Sequence, residues 1–211
     1  MKLSRLIHSC LLIEDSRANV LIDPGNFSWQ DEYVQIASLP KIDYILITHK
    51  HGDHLDPEFI KSVLESSPET IVISNREVLD ELENSNIDAQ TNSPDWIEMT
   101  TLEHPDLWQG MPSCKNTVFT LWNELTVFGD NRQLDKVNFA ETVAFPIFAP
   151  WGSLVEAINL LTEASPKRVI PVHDWHLSEA GQEWYYSRMS DALTDRGIEF
   201  LGLKPTESID L

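Results

Sequence analysis

Residues 48–54 read Thr48-His49-Lys50-His51-Gly52-Asp53-His54, which packs three imidazoles and a carboxylate into six consecutive positions from His49 to His54. Such crowding penalises protonated histidine unless a cation gathers the side chains, and imidazole with carboxylate suits zinc, iron or manganese. His49 and His51, two apart, can converge on one ion, which turns Asp53 and His54 toward a second position. The competing reading is a polar loop whose histidines only cap a strand. The preceding run Tyr44-Ile45-Leu46-Ile47 is short, apolar and uncharged, so the spacing predicts a buried strand that delivers the cluster at its end.

His-x-His-x-Asp-His after a short hydrophobic strand resembles the signature of the metallo-β-lactamase superfamily. That resemblance implies further ligands arriving singly at later strand ends. The chain offers His104 after Thr101-Leu102-Glu103, Asp130 after Val127-Phe128-Gly129, and His173 after Val169-Ile170-Pro171-Val172. Carried over position by position, His49, His51 and His104 would hold one metal and Asp53, His54 and His173 a second, with Asp130 bridging both. Five of the seven histidines then fall on ligand positions. The implied cofactor is two divalent ions, zinc first, with manganese or iron as the alternatives. The implied chemistry is hydrolysis by a metal-bridging hydroxide at an ester-like bond, either a lactone or a phosphodiester, with Asp53 orienting the hydroxide. The small stand-alone members, including the ascorbate-phosphate lactonase type, are the most similar branch. His51 stands where the oxygen-reducing flavodiiron branch generally carries an acidic residue. The implied fold is α+β, a four-layer αββα sandwich, over a single domain spanning residues 1–211.

Charge narrows the substrate class. Asp and Glu number 34 against 15 Lys and Arg, a formal net charge of −19. Such a field repels polyanions, which counts against nucleic acid and favours a small-molecule substrate. No apolar run approaches the length of a membrane span, and the first residues lack the apolar core of a signal peptide. With only Cys10 and Cys114, the expected location is the cytoplasm, and both thiols read as small apolar fillers. Oligomeric state leaves no mark in the sequence.

Around these positions the pattern predicts the scaffold. Leu6–Ile13 and Asn19–Asp23 read as two strands joined by the polar turn Glu14–Arg17. His8-Ser9 and Asp23-Pro24 resemble positions common in small superfamily members. Asp23 has two readings, a turn residue or the acceptor for the second N–H of a metal-bound histidine, and the resemblance favours the second. His8 reads equally as a hydrogen-bonded strand histidine or a pocket residue. Asp56-Pro57 starts a helix through Leu64. Thr70–Ile73 is a strand, Ser74–Glu77 has capping-box spacing for a helix through Leu82, and residues 84–94 form a connection with one short strand. Short strands follow near Ile97, Thr117–Leu121, Leu125–Phe128 and Thr142–Ile147. A helix capped by Ser153 ends before Pro166, the strand before His173 comes next, and Ser178 caps a last long helix.

Trp29, Trp108, Trp151 and Trp175 lie near strand ends or proposed ligands. Trp108, Trp151 and Trp175 are the candidate walls of a substrate pocket, against the alternative of core packing. His176 is a candidate catalytic group that contacts substrate or protonates a leaving group. The functional alternative is a non-catalytic metal-binding or interaction protein that retains the fold.

Overall fold

The computed structural model describes residues 1–28, 34–105 and 113–211. These divide into two compact units, residues 1–93 with 204–211, and residues 94–203.

The first unit is a six-stranded mixed sheet with two helices. β1 (Lys2–Ile7), β2 (Cys10–Glu14) and β3 (Asn19–Ile22) pair antiparallel, then β4 (Tyr44–Leu46) and β5 (Ile71–Ile73) continue in parallel. The C-terminal strand Ser208–Asp210 closes the other edge against β1, a pairing that no sequence signal announced. α1 (Pro57–Ser66) and α2 (Arg76–Asn84) bury Phe59, Ile60, Val63, Val78 and Leu82 against Leu21, Ile45 and Val72. Leu11, Ile13, Ile22 and Leu46 are fully buried as well, and these runs read as nearly continuous apolar stretches because neither face is left wet. Asp56 caps α1 as expected, accepting from the backbone N–H groups of Glu58 and Phe59.

Three expectations need correction here. The run Leu6–Ile13 is not one strand: it folds back at His8-Ser9, a two-residue loop between β1 and β2. α2 is capped by Asn75 rather than Ser74, the Asn75 Oδ1 accepting from Val78 N, while the Ser74 hydroxyl donates to the Ile47 carbonyl. Residues 84–94 carry an isolated bridge at Gln90 instead of a strand.

The second unit repeats the plan with different strands. β6 (Ile97–Glu103), β7 (Lys115–Leu121) and β8 (Leu125–Val127) are antiparallel, and β9 (Thr142–Pro146), β10 (Arg168–Val172) and β11 (Glu199–Phe200) follow in parallel. Trp122 and Asn123 both take positive φ in the tight β7–β8 turn, the pattern of a type I′ hairpin, and Trp122 stacks on Trp96 at 4.6 Å. α3 (Leu154–Ala164) and α4 (Glu179–Thr194) cover one face through Leu154, Ala157, Leu161, Met189 and Leu193. Their caps, Ser153 and Ser178, are the ones the sequence predicts, and Ser165 in the left-handed region ends α3 before Pro166. α+β is thus the class observed, two mixed sheets with four helices. Among the described residues, no helix is long and apolar enough to cross a membrane.

The parallel strands β3, β4 and β5 end along the same edge of the first sheet, so the segments after β3 and β4 meet. Asn26 N donates to Gly52 O and Asp56 N to Pro24 O, clamping residues 23–26 against residues 51–56. Gly25 lies so close that a methyl group there would sit 1.8 Å from the Asp53 carbonyl oxygen. Gly25→Ala should therefore displace the backbone that carries Asp53 and His54, costing about 2 kcal/mol or more and lowering Tm by roughly 4–8 °C. An unchanged melting curve would contradict this packing.

Cys10 and Cys114 are both buried, as expected of apolar fillers. Burial pushes the Cys10 thiol up to about 12, against a weaker opposing hydrogen bond with Ser28. A disulfide reagent at pH 8 should find neither thiol in the native protein and both after unfolding in guanidinium; prompt native labelling of Cys10 would show that the β1–β2 hairpin opens readily.

Candidate metal centre

In the first unit everything converges on Asp23, which follows β3 with a φ of 49°. Its carboxylate accepts from Thr48 N at 2.7 Å, from Thr48 Oγ1 at 2.8 Å and from His54 Nδ1 at 2.7 Å. Asp23 and His54 are fully buried, so the carboxylate is committed to these donors. Burial raises its pKa above the usual range, while His54 and Thr48 pull the other way. Of its two sequence readings, the structure thus supports the acceptor that holds a histidine N–H.

That contact decides which nitrogen His54 offers. With Nδ1–H given to Asp23, Nε2 carries the lone pair. His49 follows the same pattern. Thr48 Oγ1 gives its own proton to Asp23 and accepts from His49 Nδ1 at 3.0 Å, leaving His49 Nε2 as the donor atom. The rings gather tightly, His49 to His54 at 4.1 Å and His49 to His51 at 4.7 Å between centroids. Asp53 Oδ2 lies 3.8 Å from His54 Nε2.

The second unit assembles its ligands on three strand ends. His104 follows β6, and its Nδ1–H donates to the Pro105 carbonyl at 2.6 Å. His173 follows β10 with a φ of 62°, and its Nδ1–H donates to the Phe148 carbonyl at 2.6 Å. Carbonyl oxygens only accept, so in its neutral form each ring presents an unprotonated Nε2 atom. These meet the two oxygens of one carboxylate: His104 Nε2 stands 3.0 Å from Asp130 Oδ2, and His173 Nε2 stands 3.3 Å from Asp130 Oδ1. Lone pairs facing lone pairs at such distances, in groups almost wholly buried, repel unless a cation lies among them. The donor set therefore fits divalent metal, with one Asp130 oxygen facing each histidine.

Several supports escaped the sequence reading. Asn116, buried on β7, accepts from Asp130 N at 2.9 Å and donates to Phe128 O at 2.9 Å, pinning the turn at Gly129 whose φ is 58°. Arg132 is buried beside α3, donating to Ser153 O at 3.3 Å with Glu156 at 3.5 Å. Burial lowers its pKa, against the nearby Glu156 and Asp130 charges. A side chain at Gly152 would strike this guanidinium, its Cβ falling 2.1 Å from Nη1. Nothing in a lone Asn or Arg within an apolar pattern signals such roles. His8, which the sequence leaves between a strand histidine and a pocket residue, sits in the turn after β1: its Nε2 lies 3.2 Å from Asp53 Oδ2, and the pair joins His54 in a group whose candidate ligand atoms all lie within 4.8 Å of one another.

Among the candidate pocket residues, Trp151 packs between His104 and His173, with ring centroids 5.3 and 5.2 Å away. Trp175 is exposed and meets His176 edge-on, and His176 stands 6.1 Å from the His173 ring. Trp29 and Trp108 lie outside the described residues.

Comparison with known proteins gives the family. Over residues 2–173 the sequence matches the family model described as the β-lactamase superfamily domain. Protein Rv0786c of Mycobacterium tuberculosis is 25% identical, the match covering 92% of this chain and 93% of that one. A protein of Rhizobium meliloti named as a UPF0173 metal-dependent hydrolase is 41% identical over 26% of this chain and 24% of its own. Igni18, a metallo hydrolase from Ignicoccus hospitalis, superposes with a TM-score of 0.71 at 13% identity, covering 99% of this chain and 97% of that one, a likeness of fold. The family model spans most of the chain, and all of its candidate metal ligands, so the chain belongs to the metallo-β-lactamase superfamily.

Proposed function

We propose that this chain is a dinuclear metal-dependent hydrolase of a small-molecule ester, lactone or phosphodiester, working as a single cytoplasmic domain. In this reading His49, His51 and His104 would hold one ion, Asp53, His54 and His173 the other, and Asp130 would serve both. Zinc is the resident metal in this reading. The observation that carries it is the Asp130 carboxylate, whose two oxygens each face the Nε2 of a buried histidine whose Nδ1 is already committed to a backbone carbonyl. Family membership and the metal-dependent hydrolase relatives support the same reading. When bound, such ions lower the pKa of water to about 7 and polarise the bond to be cut.

The protein's own groups do the rest. The Nδ1 contacts of His49, His54, His104 and His173 fix ring orientation before any ligand arrives. Asp53, with 23% of its side chain exposed, is placed to accept a hydrogen bond from the attacking water and orient it. His176, on the exposed turn after His173, protonates the leaving oxygen. Trp151 and Trp175 would form apolar walls that hold the organic part of the substrate. The acidic field keeps polyanionic nucleic acid away.

Protein purified without chelator or added metal should carry close to two ions per chain by elemental mass spectrometry. His49→Ala combined with Asp130→Ala should abolish that loading and hydrolysis of lactone and phosphodiester probes while the chain stays folded. Turnover that survives the loss of metal would refute the assignment; full loading without turnover of any ester would favour the non-catalytic metal-binding reading. For His176, the expectation is about a hundredfold loss with alkyl leaving groups in His176→Ala and little change with nitrophenyl esters, which leave without a proton. Equal losses on both would remove His176 from the proton path.

A further inference from the structure

We propose that His8 is a positioning residue for Asp53: its Nε2–H donates to Asp53 Oδ2 and fixes the carboxylate that the second ion and the attacking water share. This rests on the metal-dependent reading above. The first support is geometric. His8 Nε2 and Asp53 Oδ2 are 3.2 Å apart, and an ionised carboxylate only accepts, so the proton sits on His8 Nε2. His8 is thereby the opposite tautomer from His49, His54, His104 and His173, which keep Nε2 bare for metal. It serves the ligand rather than the ion.

The second support is the backbone. β1 and β2 are joined through His8-Ser9, with Ile7 paired to Cys10. Of the two loop residues only His8 has positive φ, at 53°, a backbone conformation that favours glycine. A histidine stands there instead, with its ring 1% exposed, set edge-on to Phe27 at 5.3 Å and to His54 at 5.7 Å. Arg5 Nη2, from the fully buried Arg5 side chain, reaches the His8 carbonyl at 3.4 Å and helps hold the turn. A turn that needed only to reverse the chain would be better served by glycine, so the ring must be doing something that glycine cannot.

His8→Gly separates the two possibilities, because it suits the backbone and deletes only the ring. Metal affinities would be measured by chelator competition on wild type, His8→Gly and His8→Gln, with the cobalt(II) absorption spectrum as a second readout and apoprotein melting as the control. We expect one of the two ions to bind about 10–100-fold more weakly in His8→Gly, with an altered cobalt spectrum and the other ion unaffected. His8→Gln, which keeps an amide donor near the same point, should recover much of that loss, and it also answers the question if the glycine variant folds poorly. Two unchanged affinities and an unchanged spectrum would reduce His8 to a turn residue and leave the hydrolase reading standing. A wild type that binds no ion would instead overturn the hydrolase reading and this one with it.

Discussion

A histidine can give a metal only one nitrogen at a time, and the other nitrogen's proton must go somewhere. In both units that destination is fixed by the fold. Asp23 accepts the hydrogen bond of His54 Nδ1, Thr48 Oγ1 that of His49, the Pro105 carbonyl that of His104 and the Phe148 carbonyl that of His173. Each acceptor lies at or just past a strand end, where the backbone has left the ladder and its carbonyls or side chains are available. The parallel strands β3, β4 and β5, and likewise β8, β9 and β10, release their chains along one edge of each sheet, so ligands far apart in sequence meet. Ligand tautomers are thus a consequence of sheet topology, settled before any metal binds.

The arrangement stores strain at the same places. His8, Asp23 and His173 all hold the left-handed conformation that a β-carbon disfavours, at roughly 1–3 kcal/mol each. Each is anchored by hydrogen bonds: Asp23 by three donors, His173 by the Phe148 carbonyl, His8 by Asp53 and Arg5. Packed cores within each unit supply the opposing energy. Phe59, Ile60 and Val63 of α1 lie just beyond the His51–Asp56 loop, so core burial and site geometry are coupled through a few residues of chain.

What the sequence made legible follows from how far each signal reaches. The His-x-His-x-Asp-His run is local, and the strand before it is announced by its apolar residues. Helix caps at Asp56, Ser153 and Ser178 are equally local, since a side chain there meets the backbone two or three residues on. The break at His8-Ser9 was hidden because the residue that makes it is not the glycine the turn prefers, and Leu6–Ile13 is apolar enough to pass for one strand. Ser74 and Asn75 are both good caps, and choosing between them required knowing that Ser74 is taken by the Ile47 carbonyl across the sheet. The strand Ser208–Asp210 pairs with residues two hundred positions away, which no window along the chain can anticipate.

Among site residues the same distinction holds. Groups able to donate electron pairs to a metal are chemically distinctive: spacing singles out the run from His49 to His54, and the family resemblance adds His104, Asp130 and His173. Groups that hold those side chains are ordinary: Thr48 and Asn116 would be unremarkable on any strand or loop, and their roles exist only once strand ends are brought side by side. His8 falls between the two classes, chemically conspicuous but placed where its type contradicts its backbone. When a residue breaks a local conformational rule and its side chain is buried against a reactive group, the conflict itself carries information. The chain has kept the costlier residue because the side chain has work that the preferred one cannot do.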